Sequence, residues 1–184
     1  MRSRLFAGAL AATMICTVAS NADPETRLKR DEFSFNLPDL NGEMVSSEDE
    51  RFEGKVILLD IWGTWCINCR AAIPTLNALH EQFKDEGLAI VGVNFEHEKD
   101  KTKRIARAQK GVEKLGIEYL ILDGGTPDDL FDSLPDLGEI EDIPTVILSG
   151  RDGKVRFVKT GFGECDAEIY KSEVAKALST NETD

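Results

Sequence analysis

The 184-residue chain is predicted to fold as one α/β domain, a mixed central sheet with helices on both faces, led by a β-hairpin. Three observations carry this expectation. Strand-like and helix-like segments alternate between residues 55 and 122, and two consecutive strand-like segments and a closing helix follow. The run Lys55-Val56-Ile57-Leu58-Leu59-Asp60-Ile61 is almost continuously apolar and rich in branched residues, as in a strand covered on both faces. Composition supplies the core: 41% of residues are apolar, nine are Phe, and no linker, repeat or low-complexity segment divides the chain.

Taken in order, residues 34–37 and 44–45 flank Pro38-Asp39-Leu40-Asn41-Gly42, where Asn-Gly marks a hairpin turn. After the 55–61 strand, Ile73, Leu76, Leu79, His80 and Phe83 recur at helical spacing within residues 67–84. Residues 88–94 form the next buried strand, ended by Glu96-His97-Glu98-Lys99-Asp100. Residues 100–115 read as a charged amphipathic helix with Ile105, Ala108, Val112 and Leu115 inward, stopped by Gly116. A strand at 119–122 breaks at Gly124-Gly125, and a short helical stretch follows near residues 128–134. Residues 145–148 and 155–160, joined by Gly150-Arg151-Asp152-Gly153, make an antiparallel hairpin. The last helix spans residues 166–178, with Asp166 as its expected N-cap.

The first 22 residues are expected to be a signal peptide. Arg2 and Arg4 precede an uncharged, mostly apolar run over residues 5–18, and Ser20-Asn21-Ala22 offers small residues for cleavage. An uncleaved membrane anchor is the alternative; lipid attachment at Cys16 lacks the small residue expected before it. Residues 23–32 then form a lead-in and residues 33–180 the domain. This predicts an exported protein, periplasmic or otherwise extracytoplasmic. With 34 acidic and 22 basic side chains the net charge is −12, and loss of the two leader arginines takes it to −14. Such acidity argues against nucleic acid or an anionic membrane surface as partner, because both bind through basic patches.

Chemistry concentrates in Trp65-Cys66-Ile67-Asn68-Cys69, where a buried strand gives way to a helix. Free backbone N–H groups and the helix dipole stabilise a thiolate there, so Cys66 is expected to have a lowered pKa and to be the attacking sulfur. Cys69, about one turn on, can close a disulfide or resolve a mixed one. Half of a zinc site has the same spacing, and a purely structural disulfide is a third reading. Zinc would need two further ligands, for which Cys165, His80 and His97 are available but not at a paired spacing.

Over residues 33–178 the chain resembles the thioredoxin superfamily, in particular its exported TlpA/ResA/DsbE-like members. The resemblance is carried by Leu37-Pro38-Asp39-Leu40-Asn41-Gly42, by Gly54 through Cys66, by Cys69-Arg70 and Pro74, by Val91-Gly92-Val93-Asn94, by Ile143-Pro144-Thr145, and by Gly153-Lys154-Val155 with Gly161. It implies a thioredoxin-like fold with a central α/β insertion, and dithiol-disulfide exchange through a redox-active Cys66-Cys69 pair. It implies no cofactor and no metal. Its implied partners are protein disulfide or dithiol substrates, as in cytochrome c maturation, and an upstream membrane electron donor, with the protein itself a monomer.

The same resemblance assigns roles by position. Asp60 would assist proton transfer at Cys69, its carboxyl raised by burial, and a solvated strand-end carboxylate is the other reading. Pro144 would be a cis-proline facing the disulfide, with Ile143 offering backbone groups to an extended substrate and Trp65 shielding the sulfurs. Pro74 should kink the helix. The Ile67-Asn68 dipeptide lacks the proline common in these sites, so no redox potential carries over. Whether Glu96, His97 or Glu98 approaches the disulfide, and what Cys165 does, the sequence leaves open. Two other classes stay in view: a redox-inactive thioredoxin-fold binding module, and a thiol peroxidase, which would want Thr where Gly63 stands.

Overall fold

The computed structural model describes residues 32–137, 140 and 142–180. The signal-peptide expectation lies outside these residues. The hairpin forms as β1 (Asn36–Pro38) and β2 (Met44–Ser46), a two-stranded antiparallel sheet. Its turn is tied by Asp39, whose carboxylate accepts from the backbone N–H groups of Asn41 and Glu43, and by Gly42 at φ +92°.

A five-stranded sheet follows, built from β3 (Val56–Trp62), β4 (Leu88–Phe95), β5 (Leu120–Gly125), β6 (Thr145–Ser149) and β7 (Val155–Thr160) in the order β5-β4-β3-β6-β7. β3 pairs parallel with β4 and antiparallel with β6, so the sheet is mixed as expected. Every residue of β3 is buried, which is what its continuous apolar run requires of a central strand.

The helices are α1 (Ile67–Phe83), α2 (Lys101–Leu115), the four-residue α3 (Leu130–Ser133) and α4 (Asp166–Ser179). Two apolar layers sandwich the sheet. On one face Leu58 and Trp62 of β3 meet Cys69, Ile73 and Leu76 of α1, Tyr119, and Tyr170 and Val174 of α4. On the other, Ile57, Leu59 and Ile61 meet Leu37 and Val45 of the hairpin together with Phe35, Phe52, Leu134 and Leu137. The second face is thus covered by the hairpin and the short α3 segment rather than by a long helix.

The insertion expected between residues 94 and 144 contains α2, β5 and α3, and β5 forms the sheet edge next to β4. Two local expectations are corrected. Gly124 and Gly125 do not break the strand but end it: a Cβ on Gly124 would sit 2.5 Å from the Phe95 ring, so β5 lies this close to β4 only without a side chain. Asp166 is the first residue of α4, not its cap; Cys165 holds the cap position, and the Asp166 carboxylate accepts from the Gly163 N–H. Along α2 only Ala108 is fully buried, while Val112 and Leu115 are partly buried against the first layer.

Candidate active site

Cys66 is the N-cap of α1 and is joined to Cys69 by a disulfide whose Cα atoms are 5.3 Å apart. The site sits where β3 delivers the chain into α1. The Cys69 N–H donates to Cys66 Sγ at 3.0 Å, so the first turn of the helix already aims a donor at that sulfur. Cys69 is almost fully buried, whereas Cys66 keeps 8% of its surface exposed. The more exposed cysteine of the pair is therefore the one at the helix N-terminus.

The loop carrying Pro144 closes over the pair. The Ile143-Pro144 peptide bond is cis, and the Ile143 carbonyl oxygen lies 3.5 Å from Cys66 Sγ. This loop is held from both ends: Gly161 N–H donates to the Pro144 carbonyl at 2.7 Å, and the Thr145 hydroxyl donates to the Asp142 carbonyl at 2.7 Å. Trp65, which immediately precedes Cys66, is 41% exposed. Together with Ile61, Phe95, Leu130, Phe131 and Ile143 it lines an apolar groove of about 210 Å³.

Asp60 lies in β3 between Leu58 and Trp62, so the period-two alternation points it into the layer that contains Cys69. It is 1% exposed, and burial pushes its carboxyl up to about 7, against a hydrogen bond from the Tyr119 hydroxyl at 3.3 Å that pulls the other way. Its Oδ1 has no hydrogen-bond partner. The solvated reading of Asp60 is thereby excluded. Burial and the nearby Asp60 carboxylate in turn raise the Tyr119 hydroxyl well above its ordinary value.

The acidic cluster after β4 divides its work. Glu96 is fully buried and turns inward, accepting from the Thr64 N–H at 2.8 Å, the Thr64 hydroxyl at 2.9 Å and the Asn94 amide at 3.1 Å. His97 lies against the Trp65 indole with ring centroids 4.5 Å apart, and Trp65 Nε1–H donates to the Phe95 carbonyl at 2.9 Å. Glu98 caps the Asp100 N–H at the surface. The end of β4 thus grips residues 64 and 65, immediately before Cys66.

Tyr119 and Thr64 escaped the sequence reading. Gly92 was the available signal for Tyr119: it pairs with Asp60 in the sheet, and a Cβ there would meet Ile121, Trp62 and Tyr119 within 3.2 Å. Among the described residues no cluster of His, Cys, Asp or Glu is arranged to hold a metal.

The AhpC/TSA family pattern matches residues 30–158. The thiol-disulfide oxidoreductase ResA of Halalkalibacterium halodurans is 31% identical over 129 residues, 70% of this chain and 65% of that protein. ResA of Bacillus subtilis is 30% identical over the same length, 70% of this chain and 64% of that protein, so the chain spans a little under two thirds of these relatives. Among solved structures, a Chlorobium tepidum protein assigned as thiol:disulfide interchange protein DsbE superposes with a TM-score of 0.67 at 25% identity, covering 84% of this chain and 99% of that one. The chain therefore belongs to the AhpC/TSA family, with a thioredoxin-like fold, and within it stands among ResA- and DsbE-like proteins.

Proposed function

We propose that the chain is an extracytoplasmic dithiol-disulfide oxidoreductase that exchanges its Cys66-Cys69 disulfide with partner protein thiols, working as a reductant. The observation that carries this is the stacking of functions around one bond: a disulfide capping α1, an N–H aimed at Cys66, a cis-proline loop across it, and a buried carboxyl in the layer that holds Cys69. In the reduced form the Cys66 thiolate attacks a partner disulfide and releases one partner sulfur as a thiolate, leaving a mixed disulfide. Cys69 passes its proton to ionised Asp60 and attacks Cys66 Sγ, and the second partner sulfur leaves and takes up a proton. Two electrons have moved to the partner and the Cys66-Cys69 bond is restored. An upstream membrane electron donor then regenerates the dithiol.

The groove beside Trp65 and Ile143 would receive an extended segment of the partner, with the Ile143 backbone available for pairing. In this reading residues 33–180 act as a monomeric catalytic unit, residues 1–22 export the chain, and residues 23–32 lead into the domain. A peroxidase reading meets a steric obstacle: a side chain at position 63 would begin 2.6 Å from the Phe95 carbonyl and the Trp65 indole, leaving no space for threonine.

Insulin reduction driven by dithiothreitol tests the proposal. Cys66→Ser is expected to abolish turnover and Cys69→Ser to stall at mixed disulfides. Parental rates in both variants would contradict the mechanism, and a parent no faster than dithiothreitol alone would leave a redox-inactive binding module as the better account.

A further inference from the structure

Between α2 and the segment that carries Thr64 and Arg70 runs a groove of about 550 Å³ lined by these two residues and by Arg107, Lys110, Gly111 and Lys114. Four cations here are unexpected in a chain of net charge −12. They are not scattered. α2 carries six basic residues and one acidic residue in its 15, and Lys103, Arg107, Lys110 and Lys114 follow at steps of four, three and four, which places them on one helical face. Arg104 is committed to Asp123 on another face, whereas Arg70, Arg107, Lys110 and Lys114 are exposed and form no ion pair with any described residue. Like charges at this spacing repel one another, so the stripe lowers helix stability and needs another explanation.

The groove is walled in part by Thr64 and Arg70, which flank the cysteine pair in sequence. A Cβ on Gly111 would sit 2.5 Å from Thr64 Cγ2, so α2 lies directly against the loop that ends at Cys66, and Arg70 follows Cys69 in sequence. We propose that this basic groove receives an acidic polypeptide segment flanking the reactive cysteine of the partner. The proposal rests on the exchange function above and adds the chemistry of the partner to it. From Lys103 to Lys114 the stripe runs about 16 Å, the reach of about five extended residues, so the acidic side chains belong within that distance of the partner cysteine. The acidic remainder of the chain does not oppose this at physiological salt, because screening over about 8 Å leaves the nearest cations dominant. The overall charge also disfavours nucleic acid, a far denser polyanion, as the occupant.

Three synthetic peptides test this on the full chain. Each carries one cysteine as a mixed disulfide with thionitrobenzoate, flanked by Asp, Ser or Lys, and attack by the reduced protein releases the coloured thiolate. The Asp peptide is expected to react roughly tenfold faster than the Lys peptide at low salt, with the ratio falling towards one near 0.5 M salt. Arg107→Glu/Lys110→Glu/Lys114→Glu is expected to reverse the order. In parallel, a fluorescent cysteine-free Asp peptide should bind the oxidised protein saturably, and the triple variant should lose it. Equal rates for the three peptides, a ratio untouched by the triple variant, or tighter binding of a single-stranded oligonucleotide than of the Asp peptide would overturn the groove assignment. Failure of the Ser peptide to react at all would instead overturn the exchange function, while the binding measurement would still decide the groove.

Discussion

The Tyr119 hydroxyl donates to Asp60 across 3.3 Å inside the layer that also holds Cys69. The two belong to different parts of the fold: Asp60 is near the end of the central strand, and Tyr119 enters from the inserted segment just before β5. The hydrogen bond favours the ionised carboxylate, opposing the burial that drives the carboxyl up to about 7. Tyr170 also lies in this layer, and burial raises its hydroxyl well above the ordinary range, so it stays neutral. If ionised Asp60 accepts the Cys69 proton, resolution of the mixed disulfide should accelerate as pH rises through about 7. Tyr119→Phe should move that midpoint up by roughly one unit. Rapid-mixing measurement of resolution against pH reads this directly, and an unchanged midpoint would remove Asp60 from the proton path.

Asp60 also costs stability, with a definite sign. Its folded value of about 7 lies above the ordinary 3.8, so unfolded chains release this proton first as pH rises. Its cost is absent below about 4, grows between about 4 and 7, and is complete above that. Asp60→Asn should therefore be more stable than the parent at pH 8, by roughly 4 kcal/mol at most, with little difference near pH 4. Urea unfolding at the two pH values provides the comparison.

Much of this was legible in the chain because it depends on local rules. The β3 run, the helical spacing after Cys66, and the capping position of Cys66 follow from periodicity and helix-end chemistry, and all three appear where expected. Long-range placement was not legible. The sequence presents Glu96, His97 and Glu98 as one charged cluster, yet the end of β4 turns Glu96 inward to Thr64, sets His97 on Trp65 and leaves Glu98 at the surface. That sorting depends on how β4 lies beside β3 and on which of three consecutive side chains meets the active-site loop. Gly124-Gly125 misled for a similar reason: glycine punctuates turns, but here it permits β5 to lie against Phe95.

Glu96 supplies a stability prediction beside the site. Glu96→Ala leaves the Thr64 N–H, the Thr64 hydroxyl and the Asn94 amide without their acceptor in a buried setting. A loss of roughly 1–3 kcal/mol is expected, together with slower attack by Cys66 because residues 64 and 65 are no longer fixed. Thermal unfolding and the exchange rate, measured on the same sample, check both parts.

Arg104 and Asp123 staple the inserted helix to the edge strand. Their paired bonds of 2.9 and 3.0 Å are largely shielded, with side chains 11% and 5% exposed. Arg104→Ala would strand a buried carboxylate and should cost roughly 3–5 kcal/mol, whereas Arg104→Met/Asp123→Leu should recover most of that loss. A double variant no more stable than the single one would mean that the pair does not act as a unit.

The central claim is that Cys66 attacks and Cys69 resolves. Reduced Cys69→Ser mixed with a model peptide disulfide, then alkylated, digested and analysed by mass spectrometry, should carry the peptide on Cys66 in near-stoichiometric yield. The parent under the same conditions should show the Cys66-Cys69 bond and free peptide thiol. Absence of any adduct on Cys66, or equal capture by Cys69 in Cys66→Ser, would contradict the assignment.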